Sequence, residues 1–351
     1  MKKFIDLDDM ANVNSAYVLE LIYRFKALTR REICDKSALS WGGMTKIVNR
    51  LLENGLIYET KTSKPSGRSA GALTMNEENN RILGLDFNKT GFRAHIMTSG
   101  GQTVDTFEKN LSEEDALNLP ALFLDFAASV FQKYPSSGFA SIGIAMQGAV
   151  DTQAGVSVSF PGASDWKNVP IKNMLEDRFG VRVYVEHDPD CLLYPMLSSS
   201  HNENVLLFRI DRSIGAAVSL AGKLLKGTGI LEIAHNVFFP GGKKCACGAR
   251  GCLEAYIADC ITQEGADEKA LHEMCLPLAC AIKNTSRMFS ADKVILTGSL
   301  IGYSPLFKER LLSELALINA NVSLVFMENC DSAAEGAALI ALDKWIQTLK
   351  I

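Results

Sequence analysis

The chain has no apolar run approaching the roughly 18 residues that a membrane-spanning helix needs, so no membrane partner is expected. It also lacks a secretory leader. MKKFIDLDDM sets two lysines ahead of acidic residues, with no apolar stretch or small-residue cleavage site behind them. An even cysteine count is missing too. Nine cysteines exclude a fully paired disulfide framework and point to a reducing, cytoplasmic compartment. Excess basic charge is absent overall: the net charge of −4 argues against a chain that binds nucleic acid along its whole length. What remains is 351 residues, 47% hydrophobic, enough for two or three domains with sizeable cores.

The average charge hides an asymmetry. Between Arg24 and Arg68 there are ten Lys/Arg against four Asp/Glu, whereas the chain after residue 80 carries 24 against 30. The basic part reads as a folded module. Asn14 or Ser15 can cap a first helix with Tyr17, Val18, Leu21, Ile22 and Phe25 on its apolar face. Thr29-Arg30-Arg31-Glu32 is a capping box that opens a second helix through Lys36. Ser40 caps a third helix ending near Asn54-Gly55. Two short helices joined by about four residues form a helix-turn-helix, whose second helix enters the major groove. Its outward residues are Trp41, Gly42, Thr45, Lys46, Asn49 and Arg50. Gly42-Gly43 offers no side chain for base readout, which moves specificity to Thr45, Lys46 and the segment that follows. That segment reads as two alternating strands around a basic tip, a wing on which Lys64 and Arg68 meet phosphate or the minor groove.

From residue 80 onward, strand hairpins are followed by alternating helices and strands, and the order runs through twice. This predicts an α/β body of two halves facing a cleft, with ligands at strand carboxyl ends. Within it, His235, Cys245, Cys247 and Cys252 follow the order H-x9-C-x-C-x4-C among Gly241, Gly242, Gly248 and Gly251. Four N/S ligands with no open position suit a closed, tetrahedral, structural zinc site rather than a catalytic one.

Glu232-Ile233-Ala234-His235, followed by Cys245-Ala246-Cys247-Gly248-Ala249-Arg250-Gly251-Cys252-Leu253-Glu254, resembles the ROK family pattern G-E-x-G-H, then C-x-C-G-x-x-G-C-L-E. Leu231 and Ala234 replace the two glycines of the first motif. The resemblance covers nearly the whole chain and fits the family's transcriptional-regulator branch. It implies a winged helix-turn-helix DNA-binding domain over residues 1–77. Behind it would follow a two-lobed, actin- and hexokinase-like (ribonuclease H-like) sensor over 78–351, with the zinc knuckle at 235–252. It further implies that Glu232, His235 and Glu254 face the hydroxyls of a sugar. His187-Asp188 stands where the family has Asn-Asp, the aspartate being the general base of its kinases.

The parts of the pattern that handle phosphate depart from the family. Its D-x-G-G-T is Asp86-Phe87-Asn88-Lys89-Thr90 here, its G-T-G-x-G-x-G is Asp211-Arg212-Ser213-Ile214-Gly215-Ala216-Ala217, and its G-G-G is Thr297-Gly298-Ser299. Amides cradle phosphate only where side chains leave room. The expectation is therefore a regulator of carbohydrate genes, most readily a repressor, with operator DNA and a sugar or sugar-phosphate effector as partners. It would act as a homodimer or dimer of dimers, with Asp188 a vestigial base and no catalytic residue. The alternative is an ATP-dependent sugar kinase that uses Asp188.

Overall fold

The computed structural model describes residues 7–61, 71–78, 80–88, 91–112, 115, 118–134, 138–161, 163–198, 202–211, 213–226, 233–258, 260–262, 265–266, 268–303, 305–328 and 333–351. The chain forms two compact units, Met1–Glu186 with Ala337–Ile351, and His187–Gly336.

The first unit opens with α1 (Leu7–Phe25), β1 (Leu28–Thr29), α2 (Arg30–Ser37), α3 (Trp41–Glu53), β2 (Ile57–Lys61) and β3 (Gly71–Met75). The three strands pair in the order β1-β3-β2, which gives a winged helix. The capping box is present: the Glu32 amide donates to Thr29 Oγ1 at 3.3 Å and the Thr29 amide donates to Glu32 Oε2 at 2.8 Å. Ala38, at φ 55°, then closes α2 in a left-handed turn. The first helix begins a full two turns earlier than expected. Ser15 is not its cap but a buried mid-helix residue, because its hydroxyl donates to the Ala11 carbonyl one turn back at 2.8 Å.

The rest of this unit comprises β4 (Arg81–Asn88), β5 (Gly91–Thr98), β6 (Thr103–Asn110), α4 (Leu119–Phe131), β7 (Phe139–Met146), β8 (Ala149–Asp151), β9 (Val156–Phe160), β10 (Ala163–Val169), α5 (Ile171–Phe179) and β11 (Arg182–His187). The main sheet runs β11-β7-β4-β5-β6, with β4 parallel to β7 and antiparallel to β5. Phe87 anchors one face within an aromatic cluster of Phe92, Phe123, Phe160 and Trp166, all with centroids within 5.2 Å of it. The small sheet β8-β9-β10 was not anticipated. Its strands are short and bulged, and its buried Ser157 is stabilised by the Trp166 indole N–H at 2.9 Å rather than by apolar packing.

The second unit carries α6 (Asp188–Leu193), β12 (Val205–Ile210), β13 (Ile214–Leu220), β14 (Lys223–Leu224), α7 (Glu254–Ile257), β15 (Ile261–Thr262), β16 (Gly265–Ala266), α8 (Glu268–Met288), β17 (Lys293–Thr297), α9 (Ser299–Tyr303), α10 (Pro305–Leu317) and β18 (Leu324–Met327). Its sheet runs β14-β13-β12-β17-β18, with β12 antiparallel to β13 and parallel to β17. In both units a hairpin contributes the first three strands of one edge and two later strands complete the other. The two sheets therefore share one order, as the duplicated strand pattern predicts.

The final helix, α11 (Ala334–Gln347), starts in the second unit and continues in the first. There, Ala338, Ala341, Leu342, Trp345 and Ile346 share one core with Val18, Ile22, Val48, Leu51 and Leu73 of the winged helix and with Ile82 and Met97 of the sheet. Gly143 in β7 permits this approach, since a Cβ there would lie 2.0 Å from the Ala337 carbonyl oxygen. Backbone cannot yield as a flexible side chain does. Gly143→Ala is therefore expected to cost about 1–3 kcal/mol or more, read as a lower urea midpoint at unchanged slope.

Candidate metal centre and ligand residues

The segment from Ile233 to Glu254 is built from turns rather than regular structure. Isolated bridges pair Val237 with Cys252 and Lys244 with Arg250. The Cys245 amide donates to the Ala249 carbonyl at 2.9 Å and the Gly248 amide to the Cys245 carbonyl at 3.0 Å, so the chain reverses tightly between the cysteines. Gly251, at φ 86°, passes so close to Phe239 that a Cβ would overlap its carbonyl oxygen at 1.7 Å. The reversal places one ligand atom each of His235, Cys245, Cys247 and Cys252 within 4.8 Å of one another, a cluster that could hold a metal ion. Cys245 Sγ lies 3.5 Å from His235 Nδ1, and Cys247 Sγ lies 3.6 Å from Cys252 Sγ. Cys245 and Cys252 are buried, whereas His235 and Cys247 reach the surface. The thiols differ in proton affinity. Burial pushes Cys252 up to about 12, while the Ala249 amide, foremost among several donors, lowers Cys247.

The same segment orients Glu254. Its amide donates to the Ala234 carbonyl at 2.8 Å, which ties the first turn of α7 to the residue before His235. Its carboxylate accepts the Ile214 amide at 3.1 Å. Ile214 and Gly215 begin β13, and a Cβ on Gly215 would lie 2.7 Å from Pro189 and 4.0 Å from the His187 ring. The start of β13 therefore lies beside both Glu254 and the His187 and Pro189 side chains. Glu232, the remaining residue expected to face a sugar, lies outside the described residues, as do Lys64 and Arg68 of the wing.

Asp188 is the first residue of α6, where a carboxylate suits the positive end of the helix. It is 3% exposed, and a buried charge requires a partner. Arg209 supplies it: one terminal guanidinium nitrogen donates to Asp188 Oδ2 at 2.7 Å. The His187 Nε2 is 3.6 Å from Asp188 Oδ1. Arg209 Nε donates at the same time to Asp211 Oδ2 at 2.7 Å, and Asp211 Oδ1 accepts the Ser299 amide at 2.7 Å. Burial raises the Asp211 pKa, but Arg209 and Ser299 together outweigh it and hold the carboxyl below the usual range. Sequence reasoning missed Arg209. The available signal was a single charge in the otherwise apolar strand VLLFRI, which demands a counter-charge wherever that strand is buried.

In the first unit, Asp86 and Asn88 are both buried at the end of β4. Asn88 Nδ2 donates to Asp86 Oδ2 at 3.3 Å and Asn88 Oδ1 accepts the Gly91 amide at 3.1 Å. An asparagine with both ends of its side-chain amide bonded thus stands where the family pattern has glycine.

On α3, Met44, Val48 and Leu51 face the core. Trp41, Gly42, Lys46 and Asn49 are exposed, and Thr45 and Arg50 are half-buried. Trp41 is 60% exposed and Gly42 has open space around it. The Thr45 hydroxyl donates to the Trp41 carbonyl at 2.8 Å, and Ser40 accepts the Gly43 amide at 3.2 Å. The six residues assigned to the outer face of this helix therefore share that face. Arg30 and Glu59, 2.5 Å apart, fasten α2 to the wing strand β2. No helix of the described residues is long and apolar enough to cross a membrane.

Comparison with known proteins places this geometry. The ROK family profile matches residues 82–264, just over half of the chain. The DNA-binding transcriptional repressor Mlc of Escherichia coli is 27% identical over 257 residues, covering 71% of this chain and 63% of that protein, so the match spans less than two thirds of Mlc. The xylose repressor of Bacillus spizizenii is 22% identical over 335 residues, 87% of this chain and 86% of its own length. The crystal structure of a ROK family transcriptional regulator, a homologue of the E. coli Mlc protein, superposes with a TM-score of 0.78 at 21% identity over 97% of this chain and 98% of that one. The fold is thus a winged helix-turn-helix ahead of an actin- and hexokinase-like body, and the chain belongs to the ROK family.

Proposed function

We propose that this protein is a sugar-responsive DNA-binding transcription regulator, a repressor of carbohydrate transport or catabolism genes that works in the cytoplasm. The observation that carries this reading is the exposed polar face of α3, packed through α1 and α11 onto a body of the ROK family. Residues 1–77 serve as the DNA-binding domain and 78–351 as the sensor. Trp41, Gly42, Thr45, Lys46, Asn49 and Arg50 read the major groove, and Lys64 and Arg68 extend the contact from the wing. The repressor names carried by relatives along most of the chain support the assignment. Inverted-repeat operators then call for a homodimer or a dimer of dimers.

His187, Asp188, Glu232, His235 and Glu254 form the sugar subsite in this reading. Carboxylates accept from vicinal hydroxyls, and a metal-bound histidine has its second ring nitrogen available to donate. The metal is a structural zinc held by His235, Cys245, Cys247 and Cys252. In a tetrahedral zinc site the ligand atoms stand about 3.3–3.8 Å apart, a range that contains the 3.5 Å and 3.6 Å pairs. When bound, the ion supplies fixed geometry and no reaction step. In this reading the chain does not act as a kinase: Asp188 Oδ2 is engaged by Arg209, and Asn88 and Asp211 stand where the family pattern has glycine.

Three measurements test this. Genomic fragments retained by the full-length protein define an operator. On it, Asn49→Ala is expected to cost about 1–3 kcal/mol of affinity and Lys46→Ala to lower the salt slope by about one; unchanged binding in both would remove α3 from the interface. A panel of hexoses and amino sugars is expected to raise the melting temperature without any coupled ATP turnover, and Asp188-dependent turnover would establish the kinase alternative instead. Cys247→Ser is expected to lower zinc content and the sugar-induced thermal shift together, whereas zinc loss with an intact shift would reduce the knuckle to a staple.

A further inference from the structure

The first turn of α3 contains a glycine that the fold does not need. Gly42 is the second residue of the helix, its backbone is not left-handed, and a Cβ built on it would meet nothing within 4 Å. Glycine weakens a helix relative to alanine, so at Gly42 the chain gives up helix stability with no gain in internal packing. A bare position on an exposed face lets a backbone come against another surface. The neighbouring side chains narrow the chemistry of that surface. Trp41 is 60% exposed, whereas Met44 is buried. The hydroxyl proton of Thr45 is committed to the Trp41 carbonyl at 2.8 Å. The first cation of the helix is Lys46, more than a turn beyond Trp41. From Trp41 to Thr45 the helix thus offers an aromatic plane and bare backbone, with the indole N–H as its side-chain donor. Among the groups that base pairs display in the major groove, the thymine C5 methyl is the apolar one.

We infer that Trp41 and Gly42 form a close-approach surface for thymine, in which the Gly42 backbone seats against the base edges and the Trp41 indole packs on C5 methyl groups. This rests on the DNA-binding reading above and adds to it the kind of base that the first turn of α3 selects. Readout through hydrogen bonds by Lys46, Asn49 and Arg50 is independent of it.

The test uses the full-length protein and the operator defined by retained genomic fragments. Its thymines are replaced one at a time by deoxyuridine, which removes the C5 methyl and leaves every hydrogen-bonding group in place. In the native protein, at least one position in each half-site is expected to lose affinity by about fourfold, the worth of one buried methyl. Trp41→Ala is expected to bind more weakly and to show no such penalty at the same positions. Where Trp41→Ala binds too weakly to measure, Trp41→Leu is the readout: a reduced penalty supports the inference and an unchanged one overturns it. Gly42→Ala separates stability from approach. Its melting temperature is expected to equal or exceed that of the native protein, while its operator affinity falls by about fivefold or more. No deoxyuridine penalty in the native protein, the same penalty in Trp41→Ala, or native affinity in Gly42→Ala would each overturn the inference and leave DNA binding itself intact. A protein that retains no genomic fragment overturns the DNA-binding reading, and this inference with it.

Discussion

The packing of α11 ties the winged helix to the sheet behind it. Its apolar face is shared between the β4–β7 sheet and the winged helix, and Trp345 and Ile346 lie in the same core as Val48 and Leu51 of α3. Further ties reinforce this core. Lys26 Nζ donates to the Gly100 carbonyl at 2.6 Å, and the Ile351 amide donates to Asn12 Oδ1 at 3.4 Å. On the proposed function, the DNA-reading helix is not a bead on a flexible linker; its apolar face belongs to the first unit's core. Buried apolar surface at roughly 25 cal/mol per Å² makes peeling the winged helix from its sheet more costly than shifting it together with that sheet.

The residues assigned to the ligand lie elsewhere. His187, Asp188, His235 and Glu254 belong to the second unit, and the chain passes between units at 186/187 and 336/337. Asp188 follows the first crossing by one residue, and α11 contains the second. On the proposed function, a sugar influences DNA binding only through a difference in its affinity for two states, and these two crossings are the covalent routes by which that difference reaches the first unit. Glu186, buried just before the first crossing, pairs with Lys344 of α11, so the two routes are joined by a charge pair inside the first unit.

Much of this was legible in the sequence, and the exceptions have specific causes. The capping box at Thr29, the duplicated strand order and the cysteine knuckle follow from local chemistry: short-range hydrogen bonds, hydrophobic alternation and ligand spacing. Ser15 misled because a serine can satisfy its hydroxyl inside a helix as well as at its start. The α10 helix was not seen because apolar residues lie on more than one face, with Leu306, Leu312 and Leu317 exposed and Phe307, Leu311 and Leu315 buried. The pairing of Arg209 with Asp188 spans 21 positions and depends on β12 lying next to α6, which no local pattern encodes. For the site as a whole, the sequence singled out residue types and neighbourhoods, and the folded chain shows which of them are already committed to one another.

That commitment changes how the departures from the family pattern should be weighed. A lost glycine is a passive defect: it adds a side chain where a phosphate would approach, and a small rearrangement could still leave room. Asn88 and Asp211 are different, because each satisfies polar groups that the turn would otherwise present to a ligand. Asn88 accepts the Gly91 amide, and Asp211 accepts from both Ser299 and Arg209. Displacing either requires the ligand to replace hydrogen bonds that already exist, and in the case of Asp211 to do so against a negative charge held in place by a cation. Removing Arg209 would leave the buried Asp188 carboxylate uncompensated, which costs more than that pair itself contributes. On the proposed function, Arg209, Asp188 and Asp211 are thus already committed to one another, and a ligand entering there must replace those contacts together.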